Sequence, residues 1–304
     1  MTDRITPAMV TSATLTDLNS SLAAMERTSS ELSSGERISE PSENPYGASQ
    51  VIDLQSQLEG LSAYEANARD GISWEDTASS AMENMSEVTQ RVRELLVQGA
   101  NSTYNQSDLA TMALQVEQLI ETIKQDANTQ YAGQYVFSGT ATTTAPYEAG
   151  ANDEYKGNAE GVSRSVGPGA AITITTNVSS LLGNGEAAED GGLLDTLRSI
   201  AATMRRGTAE AQSELGGTYL QKLDANMEAL RSLQASAGSA TDQLQAALTR
   251  NEDLQESITG ALANLDSTNV AEASIAFANE QAAYEAALRA GASIVQESLL
   301  NFLQ

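Results

Sequence analysis

Between Leu220 and Leu265 one spacing repeats without interruption. Steps of alternating three and four residues pick out Leu220, Leu223, Met227, Leu230, Gln234, Ala237, Thr241, Leu244, Leu248, Asn251, Gln255, Ile258, Leu262 and Leu265. Nine of these fourteen are large and apolar, the mark of a helix packed in coiled-coil fashion along one seam. No proline interrupts the stretch, and at 1.5 Å per residue it runs about 70 Å. The polar members Gln234, Thr241, Asn251 and Gln255 either set register or mark where a partner helix ends or shifts.

Other stretches repeat the spacing on a smaller scale. Leu15, Leu18, Leu22, Met25 and Leu32 share one helix face near the start. Leu109, Met112, Val116, Leu119 and Ile123 share another, with Ser107 the expected N-cap and Asp108 favourable in the first turn. Leu193, Leu197, Ile200 and Met204 follow Asp190 and a Gly191-Gly192 break. Near the end, Phe277, Tyr284, Leu288, Val295, Leu299 and Phe302 form a stripe that reads as packing surface.

The middle loses the helical period and gains Gly, Thr and Tyr. Tyr135-Val136-Phe137 reads as a short strand, and Ile172 and Ile174 alternate with Thr173 and Thr175 behind a Gly167-Pro168-Gly169 turn. The expectation is a mainly α chain: a long antiparallel helical rod of coiled-coil type, with paired N- and C-terminal helices and a small β-rich insertion. Residues 1–45 and 266–304 would form the terminal pair, 46–134 and 191–265 the rod, and 135–190 the insertion.

Composition removes whole classes of chemistry. The chain has no His and no Cys, so imidazole bases, thiol nucleophiles, disulfides and the usual zinc, copper and haem ligands are gone. No catalytic, cofactor or metal site is expected. The net charge of −25 argues against nucleic acid and anionic membrane surfaces as partners. It reads first as the solubility of an exported chain and second as a high-salt surface. Residues 1–15 lack an apolar core of signal-peptide length, so if the chain leaves the cell it is expected to do so by a route without a cleaved signal.

The carboxylate pairs Glu40/Glu43 and Glu189/Asp190 read as chance neighbours, since a glycosidase needs a shaped and usually aromatic-lined pocket. The stretch from Asn152 to Asn158 carries oxygen ligands but not calcium-loop spacing, and is expected to be a solvated turn. The serines have only Lys124, Lys156 and Lys222 as conceivable activating partners, none of them in a nucleophile motif. What remains is surface for self-association, since the apolar faces at the two ends have only each other as internal partners.

At residues 27–74 the sequence resembles a known family. Arg27-Thr28-Ser29-Ser30-Glu31-Leu32-Ser33-Ser34-Gly35-Glu36-Arg37-Ile38 is similar to a segment shared by flagellins and flagellar hook-associated proteins. Asn67-Ala68-Arg69-Asp70-Gly71-Ile72-Ser73-Trp74 resembles their next shared block. Two stretches favour the FlgL type, the hook–filament junction family, over flagellin. Glu40 to Ser49 carries Pro41 and Pro45, where flagellins tend to have Asp-Asp-Ala-Ala-Gly; it departs from the junction pattern at Glu43-Asn44, where Asp-Asp is usual. The run Tyr131 to Thr140 and the end from Ala290 to Leu303 resemble the same family. Residues 90–98 also resemble a flagellin segment bound by vertebrate innate receptors, and only a rod helix is read from them.

The resemblance implies a structural subunit of the bacterial flagellum, outside the cell, forming a ring with copies of itself. An FlgK-type hook-associated protein would lie on one side and flagellin on the other, with room for an export chaperone. The expected assembly interface is Leu15, Leu18, Leu22, Met25, Leu32, Phe277, Tyr284, Leu288, Val295, Leu299 and Phe302. Pro41 and Pro45 are the expected hinge, ending the first helix and restricting the turn after it. The alternatives are a short flagellin, a coiled-coil binding protein or adhesin, and an enzyme.

Overall fold

The computed structural model of the protein describes residues 7–42, 44–150, 152–184 and 190–302, with side chains from 9 to 293 within them. Long helices dominate: α1 (Pro7–Ser34), α2 (Pro45–Gly99), α3 (Gln106–Ala127), α5 (Leu193–Arg206), α7 (Leu220–Asp266) and α8 (Val270–Phe302). Short pieces fill the rest: β1 (Gln130–Tyr131), β2 (Gln134–Tyr135), β3 (Ser163–Gly167), β4 (Ala170–Thr173), α4 (Ser179–Leu182) and α6 (Ala209–Glu214). A π-helical turn, Leu215–Tyr219, leads into α7. The fold is therefore mainly α with two small antiparallel sheets, as the periodicity predicts.

The chain divides into two units. Residues 61–253 form one, and 1–60 with 254–304 form the other. Every member of the main apolar cluster, from Ala68 to Leu248, belongs to the first. There α2 and α7 run antiparallel, since Arg69 pairs with Glu252 at 3.1 Å while Arg93 pairs with Asp224 at 2.7 Å. None of the fourteen seam positions of α7 is exposed. Asn251, a polar member, is buried and donates through Nδ2 to the Val166 carbonyl at 3.0 Å. It serves the β3–β4 hairpin and marks no change of helix partner.

That hairpin turns at Pro168-Gly169, and its register shifts between Ser165 and Gly167. The irregularity leaves the Ser165 and Val166 carbonyls for side chains. Asn67 Nδ2 donates to Ser165 O at 2.9 Å, and Arg164 Nε donates to Asp70 Oδ2 at 2.8 Å. Gly71 lies so close to the seam that an added Cβ would stand 3.1 Å from Leu244 and 3.3 Å from Ile174. Trp74 meets Tyr131 edge-on at 6.0 Å. The block from Asn67 to Trp74 is thus the seat of the hairpin.

Several local expectations are corrected. The cap of α3 is Asn105: its Oδ1 accepts from the Ser107 and Asp108 amides at 2.9 and 3.0 Å, and Asp108 Oδ2 accepts from its amide at 3.3 Å. This capping box places Ser107 inside the first turn. Tyr135-Val136-Phe137 is not a strand beyond Tyr135. Val136 and Phe137 are both fully buried, and successive strand residues would point to opposite faces.

The stretch read as a solvated turn exposes Asn152, Glu154 and Lys156 but is anchored by one buried residue. Asp153 is buried, and its carboxylate accepts from Lys124 Nζ at 3.0 Å and Arg198 Nε at 2.6 Å. Lys124 Nζ, itself buried, also donates to the Gly150 and Asn152 carbonyls at 2.8 and 2.9 Å. The insertion is thereby pinned to α3 and α5, which pack on each other. Burial alone would raise the Asp153 pKa. Hydrogen bonds from Arg198 and Lys124 outweigh burial and hold it below the usual carboxylate range.

Removing the carboxylate strands a buried ammonium, so Asp153→Ala should cost about 3–5 kcal/mol in denaturant unfolding. The pH sign follows from the lowered pKa: the stabilisation is present above about pH 4 and is lost as pH falls through the folded value.

Glu75 behaves in reverse. It is buried on α2, its Oε2 has no hydrogen-bond partner, and burial, helped by the Asp76 charge, pushes its pKa up to about 8. A raised carboxyl stabilises fully below its unfolded value of about 4.3 and loses that stabilisation as pH rises through about 8. Between those values unfolding free energy should fall by about 1.4 kcal/mol per pH unit from this group, and Glu75→Gln should remove that slope in a pH series of chemical melts.

Candidate assembly surface on the terminal helices

In the terminal unit, α1 packs against α8. They run antiparallel, because Thr14 faces Gly291 while Gly35 meets Thr268. The half-buried or buried positions of α1 include Thr14, Leu18, Ser21, Met25, Thr28 and Leu32; those of α8 include Ala273, Phe277, Glu280, Tyr284, Ala287 and Gly291. Both sets step by three and four, so the pair is a short coiled-coil seam. It is a thin one. Only Thr28 and Ala273 are buried on these two helices among the described residues.

The expected interface residues fall into three groups. Leu18, Leu22, Met25, Leu32, Phe277 and Tyr284 are half-buried. Leu15 is 60% exposed and Leu288 44%. Val295, Leu299 and Phe302 lie on the helical backbone of α8, with side chains outside the described residues. Sequence reasoning missed Thr14, Ser21, Thr28, Ala273 and Gly291 because it looked for large apolar side chains. The three-four spacing, read without regard to size, would have found them.

It also missed Met9, Val270 and Ile275. Of the ten large apolar residues exposed among the described residues, Met9, Leu15, Tyr46, Ile52, Leu254, Val270, Ile275 and Leu288 belong to the terminal unit. The unit's buried apolar side chains, among the described residues, are Ala48, Val51 and Ala273. Apart from Val51, its described large apolar side chains are half-buried or exposed.

The expected stop of the first helix at Pro41 is also corrected. α1 stops at Ser34, well before Pro41. Gly35 takes φ of 76° and its amide donates to the Glu31 carbonyl at 2.9 Å, a left-handed stop that suits glycine. Pro45 opens α2, following Asn44, whose Oδ1 accepts from the Gly47 amide at 3.0 Å. A proline costs nothing in the first turn of a helix, where its missing N–H has no partner to lose. Pro41 lies in an exposed turn of the connector.

The α1–α2 connector is tied to the α7–α8 break. Arg37 N donates to Asp266 O at 2.6 Å, Ile38 N to Asp266 Oδ1 at 2.9 Å, and Thr268 N to Gly35 O at 2.9 Å. Glu36 and Ser267 form an antiparallel bridge. The Arg37 guanidinium donates to the Leu265 carbonyl, one of the carbonyls left over at the end of α7. Asn269 caps α8, accepting from the Ala271 amide at 3.2 Å.

Candidate catalytic residues do not converge. Glu40 accepts from Ser42 Oγ at 3.0 Å, and Asp190 accepts from the Asn184 and Gly192 amides at 2.8 and 3.0 Å, shaping a loop. Glu43 and Glu189 lie outside the described residues. Among the described residues no group of His, Cys, Asp or Glu is placed to hold a metal, and no helix is long and apolar enough to cross a membrane.

Residues 5–142 match the family model for the bacterial flagellin N-terminal helical region. The flagellin of Salmonella typhimurium is 36% identical over 141 residues, 46% of this chain and 28% of that protein. The chain therefore aligns with little more than a quarter of the curated relatives it matches. Among solved structures, a Vibrio parahaemolyticus protein ascribed to the flagellar hook-associated class superposes with a TM-score of 0.67 at 17% identity, over 74% of this chain and 100% of that one. The flagellar junction protein FlgL of Legionella pneumophila superposes with a TM-score of 0.59 at 14% identity, over 71% and 99%.

The α1–α8 seam itself can be tested. A Cβ at Gly291 would stand 3.2 Å from Thr14 Cγ2, tight enough that a larger side chain must push the helices apart. Gly291→Leu should weaken the pair by about 1–3 kcal/mol, read as earlier loss of helical ellipticity on heating.

Proposed function

We propose a structural subunit of the flagellum, of the FlgL type, that forms the ring between hook and filament; residues 5–142 match the bacterial flagellin N-terminal helical region and the fold is that of flagellar hook-associated proteins. Copies of the chain pack through their terminal helices. An FlgK-type hook-associated protein meets one face of the ring and flagellin the other. The subunit works outside the cell, reached unfolded through the flagellar export channel, and its role is mechanical and not catalytic. A chain without cysteine suits that route, since no crosslink can form on the way.

The observation that carries this reading is the outward-facing apolar surface of the terminal unit, set against the dense core of residues 61–253. Two long helices that, among their described residues, bury only Thr28 and Ala273 between them are marginal alone. Neighbouring copies supply the missing burial, at about 1.5–3 kcal/mol for each large apolar side chain covered. The terminal helices thus gain their full order on assembly. A short flagellin is the second reading, favoured by the identity to flagellins over the N-terminal part. It separates by behaviour: purified flagellin extends seeds into filaments, and a junction subunit does not.

Leu15 and Ile275 are 60% and 65% exposed, so charging them should change the lone subunit by no more than about 0.5 kcal/mol. Leu15→Asp and Ile275→Asp should nonetheless abolish filament attachment, leaving hooks without filaments and flagellin in the medium. Normal swimming by cells carrying both changes would refute the assembly surface.

A further inference from the structure

The tie between the two chain crossings has no counterpart in the apolar pattern, and its position is telling. Thr28 and Ala273, the two buried residues of α1 and α8, lie at the same end of the pair as the tie. Toward Thr14 and Gly291 the seam is small and only half-buried. Among the described residues, the best-enclosed contacts of the pair therefore lie at the end that carries the tie.

Asp266 is an odd residue for its place. A carboxylate in the last turn of a helix faces the negative end of the helix dipole, and this one is also buried. It is kept there by what it holds: its Oδ1 accepts from the Ile38 amide and its carbonyl from the Arg37 amide. Arg37 then covers the adjacent Leu265 carbonyl. These partners are 228 residues apart in sequence. Once they are joined, α1 and α8 leave from one point, and zipping them requires closure of only a short loop. Before they are joined, pairing must search across the whole intervening chain.

We propose that this tie is a latch: α1 and α8 begin pairing at Arg37-Ile38 and Asp266, and opening there releases both helices together. The inference rests on the terminal-helix reading only in that the latch governs the helices proposed to assemble. It makes Asp266 a positioning residue for subunit incorporation, and it makes order in α1 and α8 switchable without disturbing the core.

Hydrogen exchange on the full-length chain tests it. Asp266→Ala removes the acceptor for the Ile38 amide, and peptides from α1 and α8 should exchange about tenfold faster than in the wild type, with peptides from α3 and α5 unchanged. Asp266→Asn keeps an oxygen acceptor and should stay within about twofold of the wild type. Equal exchange in wild type and Asp266→Ala overturns the latch, and so does wild-type exchange already at the unfolded rate. Faster exchange in α3 and α5 as well would also overturn it, because the effect would then be global. The two readings separate. Loosened helices in a subunit that still builds filaments would keep the latch and count against assembly through the terminal pair. Unchanged exchange with filaments lost in Leu15→Asp would do the reverse.

Discussion

Burial of one continuous seam on α7 governs the rest of the structure. Fourteen positions over 46 residues are withdrawn from solvent on a single helix, and that requires long, matching elements beside it. In the core unit α2 supplies one, held antiparallel by the Arg69–Glu252 and Arg93–Asp224 pairs. These exposed pairs contribute little energy; they report register more than they create it. The β3–β4 hairpin supplies another neighbour, and it is seated by polar groups: Asn67, Asp70 and the buried seam residue Asn251. A polar side chain inside an apolar seam is costly unless satisfied. Here its satisfaction fixes where the hairpin lies.

The two units use opposite strategies. Residues 61–253 enclose Trp74, Tyr147, Phe137 and many Leu, Ile and Met side chains, and they bury an ammonium and a carboxylate, bonded to each other and to a half-buried guanidinium. Such clusters add little net stability over apolar packing but are intolerant of rearrangement. The terminal unit has no comparable interior among its described residues. Its helices meet along a half-buried seam of mixed small and large residues and keep Leu15, Ile275 and Leu288 outside. Enclosed apolar packing is thus concentrated in residues 61–253, while large apolar side chains stay exposed in the terminal unit. Low local stability is what an element needs if it is to order against a partner.

The helical layout was legible because helix packing writes itself locally. A three-four repeat of apolar residues is visible within a dozen positions, and α3, α5, α7 and the turn before β4 lie close to where that repeat and the Gly-Pro-Gly signal put them. Helix ends were read less well. Ser107 looked like a cap because it precedes the apolar run, yet the reciprocal bonds of Asn105 and Asp108 start the helix earlier. Pro41 looked like the stop of α1, yet Gly35 stops it first through a positive φ. In both cases two candidate signals stood a few residues apart, and geometry chose between them.

By itself, then, the sequence determined that long helical runs flank a small β-bearing insertion, the absence of His and Cys chemistry, and the apolar character of both ends, since each depends on residues near one another in the chain. Only the tertiary structure decided that Asp153 is a buried anchor and not a solvated turn, that Asn251 serves the hairpin, and that Asp266 meets Ile38 across 228 residues. Those facts turn on which polar group faces which. A hydrogen bond acts over about 3 Å and carries no period, so nothing along the chain announces its distant partner.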